Sequence, residues 1–215
     1  MKAIYFFYLL IGLSMGWSCT NNADTAEKEI SKIIEEQFDL RNDSVIFKSA
    51  TIENFDQNGR SIDVYWIDQQ KDTVLRFYRK YDAEMQLIGA EYFEAGDTAP
   101  SIDSVFYDEA GHRVEASLNE ARQIRWQSTI QTDDKGNEVL KTYANGKGEY
   151  RGFDSLYFDE QNRPVKGFYE NSRGKRYGIK TYNYVNADDK GNWTEREMYV
   201  NDTLRQKHSR TLEYH

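Results

Sequence analysis

Apolar residues follow two different periods along the chain, and the change falls near residue 44. Upstream of it they recur every three to four residues, the spacing of an amphipathic helix. These positions are Ile30, Ile33, Ile34 and Phe38. Asp24 and Glu27, three residues apart, form a pattern typical of a helix cap. We therefore predict one helix over residues 24–41, packed as a lid on one end of the downstream β region rather than binding a partner.

From residue 44 to the C-terminus, apolar and polar residues alternate in strand-length segments separated by turns. One turn signature, an aromatic residue followed by Asp-x-x-Gly, recurs six times with variations. The turn positions are Asp56, Gly59, Asp82, Asp108, Gly111, Asp133, Gly136, Asp159, Asn162, Asp188 and Gly191. The six aspartates are 26, 26, 25, 26 and 29 residues apart, which indicates a repeat array. Met85 takes the glycine position of the second copy, so we expect that turn to be strained or of another type.

Each unit of about 26 residues has room for two strands and two turns, which predicts roughly thirteen strands between Ser44 and Tyr214. Neighbouring strands lie about 4.8 Å apart, so a flat sheet of this width would leave its apolar face in water. The sequence therefore predicts an all-β antiparallel hairpin-repeat meander, curled or folded over on itself, over residues 44–215.

Two columns of residues, six and ten positions after each turn aspartate, are expected on one face of this sheet because their offsets are even. The first column is Ile62, Ile88, Val114, Val139, Val165 and Thr194, and the second is Trp66, Tyr92, Leu118, Tyr143, Tyr169 and Met198. The aromatic members Trp66, Tyr92, Tyr143 and Tyr169 could stack against sugar rings. Their alternation with polar neighbours favours a place in the core instead.

The N-terminus has the layout of a secretory signal. Lys2 is followed by an apolar run that is too short to span a membrane, then by small residues. We assign residues 1–18 to a signal peptide. The single cysteine of the chain, Cys19, comes next, and this arrangement resembles the lipobox of bacterial lipoproteins. The resemblance implies lipidation at Cys19, a tether over 19–23, and an outer-membrane lipoprotein on its periplasmic or cell-surface side. The alternative is plain cleavage after Ser18.

The turn repeats resemble the RHS/YD-repeat family. Residues 107–114, Tyr-Asp-Glu-Ala-Gly-His-Arg-Val, and residues 188–194 carry the likeness best. Residues 143–148 and 169–174 are similar, more weakly, to MORN repeats. Arrays of both families act as shells, scaffolds or binding surfaces without an intrinsic catalytic centre, so the resemblance implies a protein that is not an enzyme.

Metal and cofactor chemistry finds little support in the sequence. Acidic pairs such as Asp133-Asp134 mark four turns, but equivalent turns lie about 9.6 Å apart on the sheet. Carboxylates that share one calcium ion lie within about 5 Å of each other. The three histidines show no metal-ligand spacing, and no nucleophile-elbow, His-Glu-x-x-His or phosphate-loop motif is present. We predict no metal site and no cofactor.

Asp followed by Ser or Thr and then an aliphatic residue occurs seven times. The pattern resembles the acceptor of a general O-glycosylation system of one phylum of Gram-negative bacteria. The hydroxyl residues are Thr25, Ser44, Thr73, Thr98, Ser104, Ser155 and Thr203. The local alternative is that Asp ends a turn and the hydroxyl residue begins a strand. Both interpretations stay open.

Composition narrows the class of partner. The 215 residues carry a formal net charge of −8, with no basic block, which excludes ordinary nucleic-acid binding. We predict a non-catalytic cell-envelope lipoprotein that presents a β-repeat surface to a glycan or a protein. The alternatives are a small carboxylate-dependent hydrolase acting on polysaccharide and a purely structural envelope protein.

Overall fold

The computed structural model describes residues 30–41, 44–119 and 121–215, and all regular structure in these residues is β. The strands are β1 (Ile30–Arg41), β2 (Ser44–Phe55), β3 (Ser61–Ile67), β4 (Thr73–Tyr81), β5 (Leu87–Glu94), β6 (Ser101–Tyr107), β7 (Arg113–Leu118), β8 (Ile124–Thr132), β9 (Glu138–Asn145), β10 (Tyr150–Phe158), β11 (Pro164–Asn171), β12 (Arg176–Ala187), β13 (Trp193–Val200) and β14 (Thr203–Tyr214).

Each strand pairs antiparallel with its neighbours in the chain, and β1 pairs with β14 to close a fourteen-stranded barrel. The predicted antiparallel meander is confirmed, and thirteen of its strands do lie between Ser44 and Tyr214. Closure of the sheet provides the shielded face that a flat sheet of this width would lack.

The fourteenth strand is β1, and here the helix prediction for residues 24–41 is wrong. Residues Ile30–Arg41 form a strand that pairs along its length with β2 on one side and β14 on the other. A helix at this place would leave two long strand edges with unpaired backbone groups, so pairing overrides the helical spacing of the isoleucines. Residues 24–29, the signal peptide 1–18, Cys19 and the tether 19–23 lie outside the described residues.

All six predicted turn aspartates lie at one end of the barrel, which we call rim A; the opposite end is rim B. In the first turn, the Gly59 amide donates to the Asp56 carbonyl at 3.0 Å. The Asp56 carboxylate accepts from the amides of Asn58 and Arg60 at 2.9 and 3.0 Å. The backbone pattern recurs at the other five turns. Met85 adopts it too, with a φ of 66°, so the second turn is of the same type but strained.

Rim B carries a second series of the same turn, which was not predicted from the sequence. These turns begin at Asp68, Asn119, Asn145 and Asn171, and their fourth residues also have positive φ. Asparagine can replace aspartate because its side-chain oxygen accepts the same two amides.

A β-bulge next to five of the six rim A turns decides which residues face inward. In five of the six hairpins the pairing register shifts at the sixth residue after the aspartate, namely Ile62, Ile88, Val139, Val165 and Thr194. The β6–β7 pair runs in continuous register instead, which accounts for the single 25-residue spacing. Val114 and Leu118 therefore lie on the opposite face from the other members of their columns. Ser117 takes the place predicted for Leu118.

Six charged or ionisable side chains that are at least nine-tenths buried fall on one face of the sheet by this register: Glu35, Glu53, Lys141, Asp154, Arg196 and His208. Such groups escape water on all sides only inside a closed sheet, so this face lines the lumen. The lumen thus contains buried charged and ionisable groups on several strands.

Candidate functional site

The first notable region of the lumen, here called the arginine cluster, comprises Glu35, Glu53, Arg79, Arg196, His208 and Arg210. Glu35 of β1 is at its centre. Arg196 Nη2 donates to Glu35 Oε1 and Arg210 Nε donates to Oε2, each at 2.8 Å. His208 Nδ1 lies 2.8 Å from Oε1. These contacts join β1 to β13 and β14, so they cross the seam where the two ends of the sheet meet.

Electrostatics in the arginine cluster follow from burial and pairing. Burial alone would raise the pKa of Glu35. The guanidinium groups of Arg196 and Arg210, with the hydrogen bond from His208, outweigh it and hold that pKa well below its ordinary value. Burial also lowers the pKa of His208, and the Glu35 hydrogen bond only partly opposes this. Glu35 is therefore ionised and His208 neutral near pH 7.

Glu53 is the second carboxylate of the cluster, and it is held less tightly than Glu35. Arg79 Nη1 donates to Glu53 Oε1 at 3.2 Å, a bond from β4 to β2 across the intervening strand β3. Burial raises the pKa of Glu53, and the Arg79 charge offsets only part of that rise. Residues 53 and 79 are one repeat period apart, which places both at equal height on alternate strands.

The second region, here called the aromatic belt, comprises Trp66, Tyr92, Tyr143 and Tyr169. The register places all four on the lumen face, one or two residues before the strand end at rim B. All four therefore face inward, as expected of core residues, but each side chain is half-buried and not fully enclosed. Tyr143 and Tyr169 have ring centroids 6.4 Å apart at an interplanar angle of 58°.

Buried carboxyl groups lie beside the aromatic belt. The Tyr143 hydroxyl donates to Asp154 Oδ2 at 2.6 Å. Burial raises the pKa of Asp154, which the Tyr143 hydrogen bond opposes. Burial also raises the pKa of Asp103 to about 6, with a further rise from the Glu115 charge. Asp103 Oδ1 is buried without a hydrogen-bond partner.

Glu115 differs from these two aspartates because cations hold it. Lys141 Nζ donates to Glu115 Oε2 at 2.9 Å, and Arg113 donates to Oε1. Burial would raise the pKa of Glu115, but these two charges lower it below its ordinary value. Adjacent strands thus hold two carboxyl groups, Asp103 and Glu115, whose pKa values are displaced in opposite directions.

The predicted glycosylation positions separate into two groups. Ser44, Thr73, Thr98 and Thr203 are exposed at rim B. Ser104 and Ser155 are half-buried within β6 and β10, and the aspartates before them, Asp103 and Asp154, point into the lumen. These two motifs lie within strands and not where a turn ends and a strand begins. Thr25 lies outside the described residues.

Beyond the arginine cluster and the aromatic belt, other features of the described residues indicate no further site. They contain no group of three or more His, Cys, Asp or Glu side chains arranged to hold a metal ion. No helix in the part of the chain that the structure describes is long and apolar enough to cross a membrane. A shallow cleft of about 480 Å³ opens at rim A beside the turns that begin at Asp133 and Asp159, away from the aromatic belt.

The turn residues and the column that forms the aromatic belt were predictable from the sequence, but the arginine cluster was not. Its members lie on five different strands. Within its own strand, each member is an ordinary polar residue in an alternating pattern and gives no local signal. The 26-residue offset between Glu53 and Arg79, and again between Glu115 and Lys141, is a signal that could have been used. Opposite charges one period apart are expected to meet on alternate strands of a repeat meander.

Comparisons with known proteins leave the family open. No protein-family model matches the sequence, and no curated protein matches it. Among solved structures, a porin-like protein from Bacteroides uniformis is similar over 86% of this chain and 98% of that chain, with 11% identity and a TM-score of 0.39. A LolA superfamily protein from Nitrosomonas europaea is similar over 88% and 87%, with 7% identity and a TM-score of 0.41. A DUF1329 family protein from Desulfovibrio piger is similar over 86% of both chains, with 10% identity and a TM-score of 0.35.

Proposed function

We propose that this protein is a non-catalytic binding protein of the cell envelope that takes up a carbohydrate at rim B of its barrel. The observation that carries the proposal is the aromatic belt. Four aromatic side chains occupy one repeat position, face the lumen at one rim and remain half-buried. Binding sites for small ligands combine such apolar surfaces with a few placed polar groups.

The belt suits a sugar because its rings are held in place by polar contacts and keep part of their surface exposed. The Tyr169 hydroxyl donates to the Arg151 carbonyl at 3.0 Å, and the Tyr143 hydroxyl is held by Asp154. Pyranose rings present C–H faces that pack on aromatic rings, while their hydroxyls donate hydrogen bonds to acceptors. Asp103, with one oxygen unpartnered, is such an acceptor close to Tyr92, since Ala90 and Asp103 pair directly.

The belt falls into two pairs, and this favours an extended oligosaccharide over a single sugar. Trp66 and Tyr92 lie on β3 and β5, while Tyr143 and Tyr169 lie on β9 and β11. Alternate strands are about 9.6 Å apart. Ser117 occupies the equivalent position on β7, between the two pairs. A chain of several sugar units could contact both pairs and pass over the serine.

The envelope location rests on the predicted signal peptide and lipidation at Cys19. β1 begins at Ile30 at rim A, eleven residues after Cys19. A chain of eleven residues spans at most about 38 Å. A lipid anchor at Cys19 would attach the barrel through rim A and leave rim B, with its aromatic belt, directed away from the membrane.

Binding of the mature chain, residues 20–215, to arrayed neutral and acidic oligosaccharides tests the proposal. We expect Trp66→Ala and Tyr169→Ala each to weaken binding roughly tenfold, about 1.4 kcal/mol, in the range of one aromatic contact. Tyr199→Ala, on the outer face of β13, is the matched control and should bind like the wild type. Absence of oligosaccharide binding, or equal binding by all variants, would contradict the proposal.

A hydrolase acting on polysaccharide is the second candidate, and Asp103 is the observation that favours it. A buried carboxyl group with a raised pKa can act as a general acid when an ionised carboxylate stands nearby. Glu115 is ionised but is held by two cations, which makes it a poor nucleophile. Release of reducing ends from a bound oligosaccharide by the wild type, and its loss in Asp103→Asn, would favour this candidate over the first.

A further inference from the structure

Three unpartnered buried nitrogen atoms lie around Arg196 in the arginine cluster. They are Arg196 Nε, His208 Nε2 and the indole Nε1 of Trp193. The Arg196 guanidinium carbon is 4.5 Å from the centre of the Trp193 ring, and Arg196 Nη2 is 3.4 Å from His208 Nδ1. Trp193 and His208 are each 4% exposed. Buried polar groups nearly always find a partner, so three such atoms around one side chain indicate a ligand.

The charge balance of the cluster shows the kind of ligand. Three guanidinium groups, Arg79, Arg196 and Arg210, face two carboxylates, Glu35 and Glu53. With His208 neutral, the cluster carries one net positive charge, in a place shielded from solvent. An unbalanced buried charge is costly, and an anion would neutralise it.

Histidine chemistry restricts the ligand further. Because Glu35 is ionised, His208 Nδ1 must carry the proton of their 2.8 Å hydrogen bond. Nε2 of the neutral ring is then an acceptor, and it becomes a donor when the ring is protonated. The charged groups that act on His208 are Glu35 on β1, Arg196 on β13 and Arg210 on β14. Tyr182 and Tyr184 on β12 act on Arg196. Glu53 on β2, which Arg79 on β4 holds, acts on Arg210.

We propose that a small oxyanion, a carboxylate or phosphate group, binds between Trp193, Arg196 and His208, and that binding is coupled to protonation of His208. The Nε–H of Arg196 and the Nε1–H of Trp193 donate to its oxygens. The Nε2–H of the protonated imidazole supplies a third donor, and the proton comes from solvent. Trp193 is the first residue of β13, so the site lies toward rim A. It is separate from the aromatic belt and does not depend on carbohydrate binding.

Calorimetric titration of the mature chain with sodium acetate, with inorganic phosphate and with chloride at matched ionic strength tests the site. We expect acetate or phosphate to bind more tightly than chloride. Acetate stays largely ionised between about pH 7.5 and 5.5, so its binding should tighten roughly tenfold for each unit of pH lowered, as uptake of one proton by the protein requires. Phosphate takes up a proton itself in this range, so His208 protonation is followed directly for phosphate. Binding of acetate alone identifies a carboxylate site, and binding of phosphate alone identifies a phosphate site. Chloride binding equal to both, or acetate binding independent of pH, overturns the proposal.

Two variants separate the proposed contacts from a general effect of charge. Trp193→Phe keeps the ring against Arg196 and Arg210 but removes the N–H, and should weaken oxyanion binding about tenfold. His208→Asn should abolish the pH dependence. Nitrogen NMR of the imidazoles follows the protonation of His208 directly and applies even where a variant folds poorly. A wild-type His208 that stays neutral when the anion is bound also overturns the proposal.

Discussion

Glu35 in the arginine cluster and Asp103 beside the aromatic belt are buried carboxyl groups on the same face of one sheet, yet their surroundings differ. Glu35 has two guanidinium groups and an imidazole within 2.8 Å, and its pKa is lowered. Asp103 has a hydrogen bond with Ser117, an unpartnered oxygen and a raised pKa. The carboxylate of Glu35 is compensated for its burial, while that of Asp103 is not. Uncompensated buried charge is typical of binding and catalytic sites.

The position of each region explains the difference. The arginine cluster lies across the seam, where strands from the two ends of the chain must be held together. Strong charge pairing there stabilises closure of the barrel. The aromatic belt lies on strands from the middle of the repeat array, where consecutive hairpins already hold the sheet. That part of the wall can accommodate groups that do not contribute to stability.

Removing the charge of Glu35 should have the largest effect on stability. Glu35→Gln leaves buried guanidinium groups without their counter-ion, and we expect a loss of about 3–5 kcal/mol in the free energy of unfolding. Because the pKa of Glu35 is lowered in the folded state, this contribution is present above about pH 4 and is lost as the pH falls further. Urea melts at neutral and acidic pH measure it. Glu36→Gln, on the outer face of the same strand, is the control and should be near neutral.

Removing the charge of Asp103 should raise the free energy of unfolding, which is the opposite of the effect expected at Glu35. The pKa of Asp103 is raised to about 6, so its ionisation destabilises the fold as the pH rises from about 4 through 6. Asp103→Asn should therefore gain on the order of 2 kcal/mol at pH 8 and little at pH 4. The exposed Asp189→Asn serves as the control. A loss of stability at pH 8 would show that the two regions do not differ in the way described.

Truncating a ring of the belt should have the smallest effect on the fold. Tyr92 is half-buried, so Tyr92→Ala should lower the free energy of unfolding by only about 1 kcal/mol. Oligosaccharide binding should fall while the urea midpoint moves little, and Tyr199→Ala should change stability similarly without affecting binding. A cost as large as that of Glu35→Gln would make the belt part of the core.

The turns could be predicted in detail because their chemistry is local. An aspartate that accepts two amides and a residue with positive φ three positions later are contained within five residues. Strand number and antiparallel order followed from the repeat spacing. The faces of Val114 and Leu118 could not be predicted, because the β6–β7 hairpin lacks the register shift that its neighbours have. A bulge depends on how two strands pair, so it cannot be predicted from the sequence of one strand alone.

The sequence by itself determined where the chain turns, how many strands the repeats form and which aromatic residues share a rim. Tertiary structure decided that the sheet closes, that residues 30–41 are a strand, and that Glu35 meets Arg196, His208 and Arg210. These outcomes depend on pairing between β1 and β14, which lie more than 160 residues apart in the chain. The spacing of the apolar residues favoured a helix at β1, but two unpaired strand edges would cost more than that preference provides. The seam, and the charge cluster that crosses it, therefore exist only in the folded barrel.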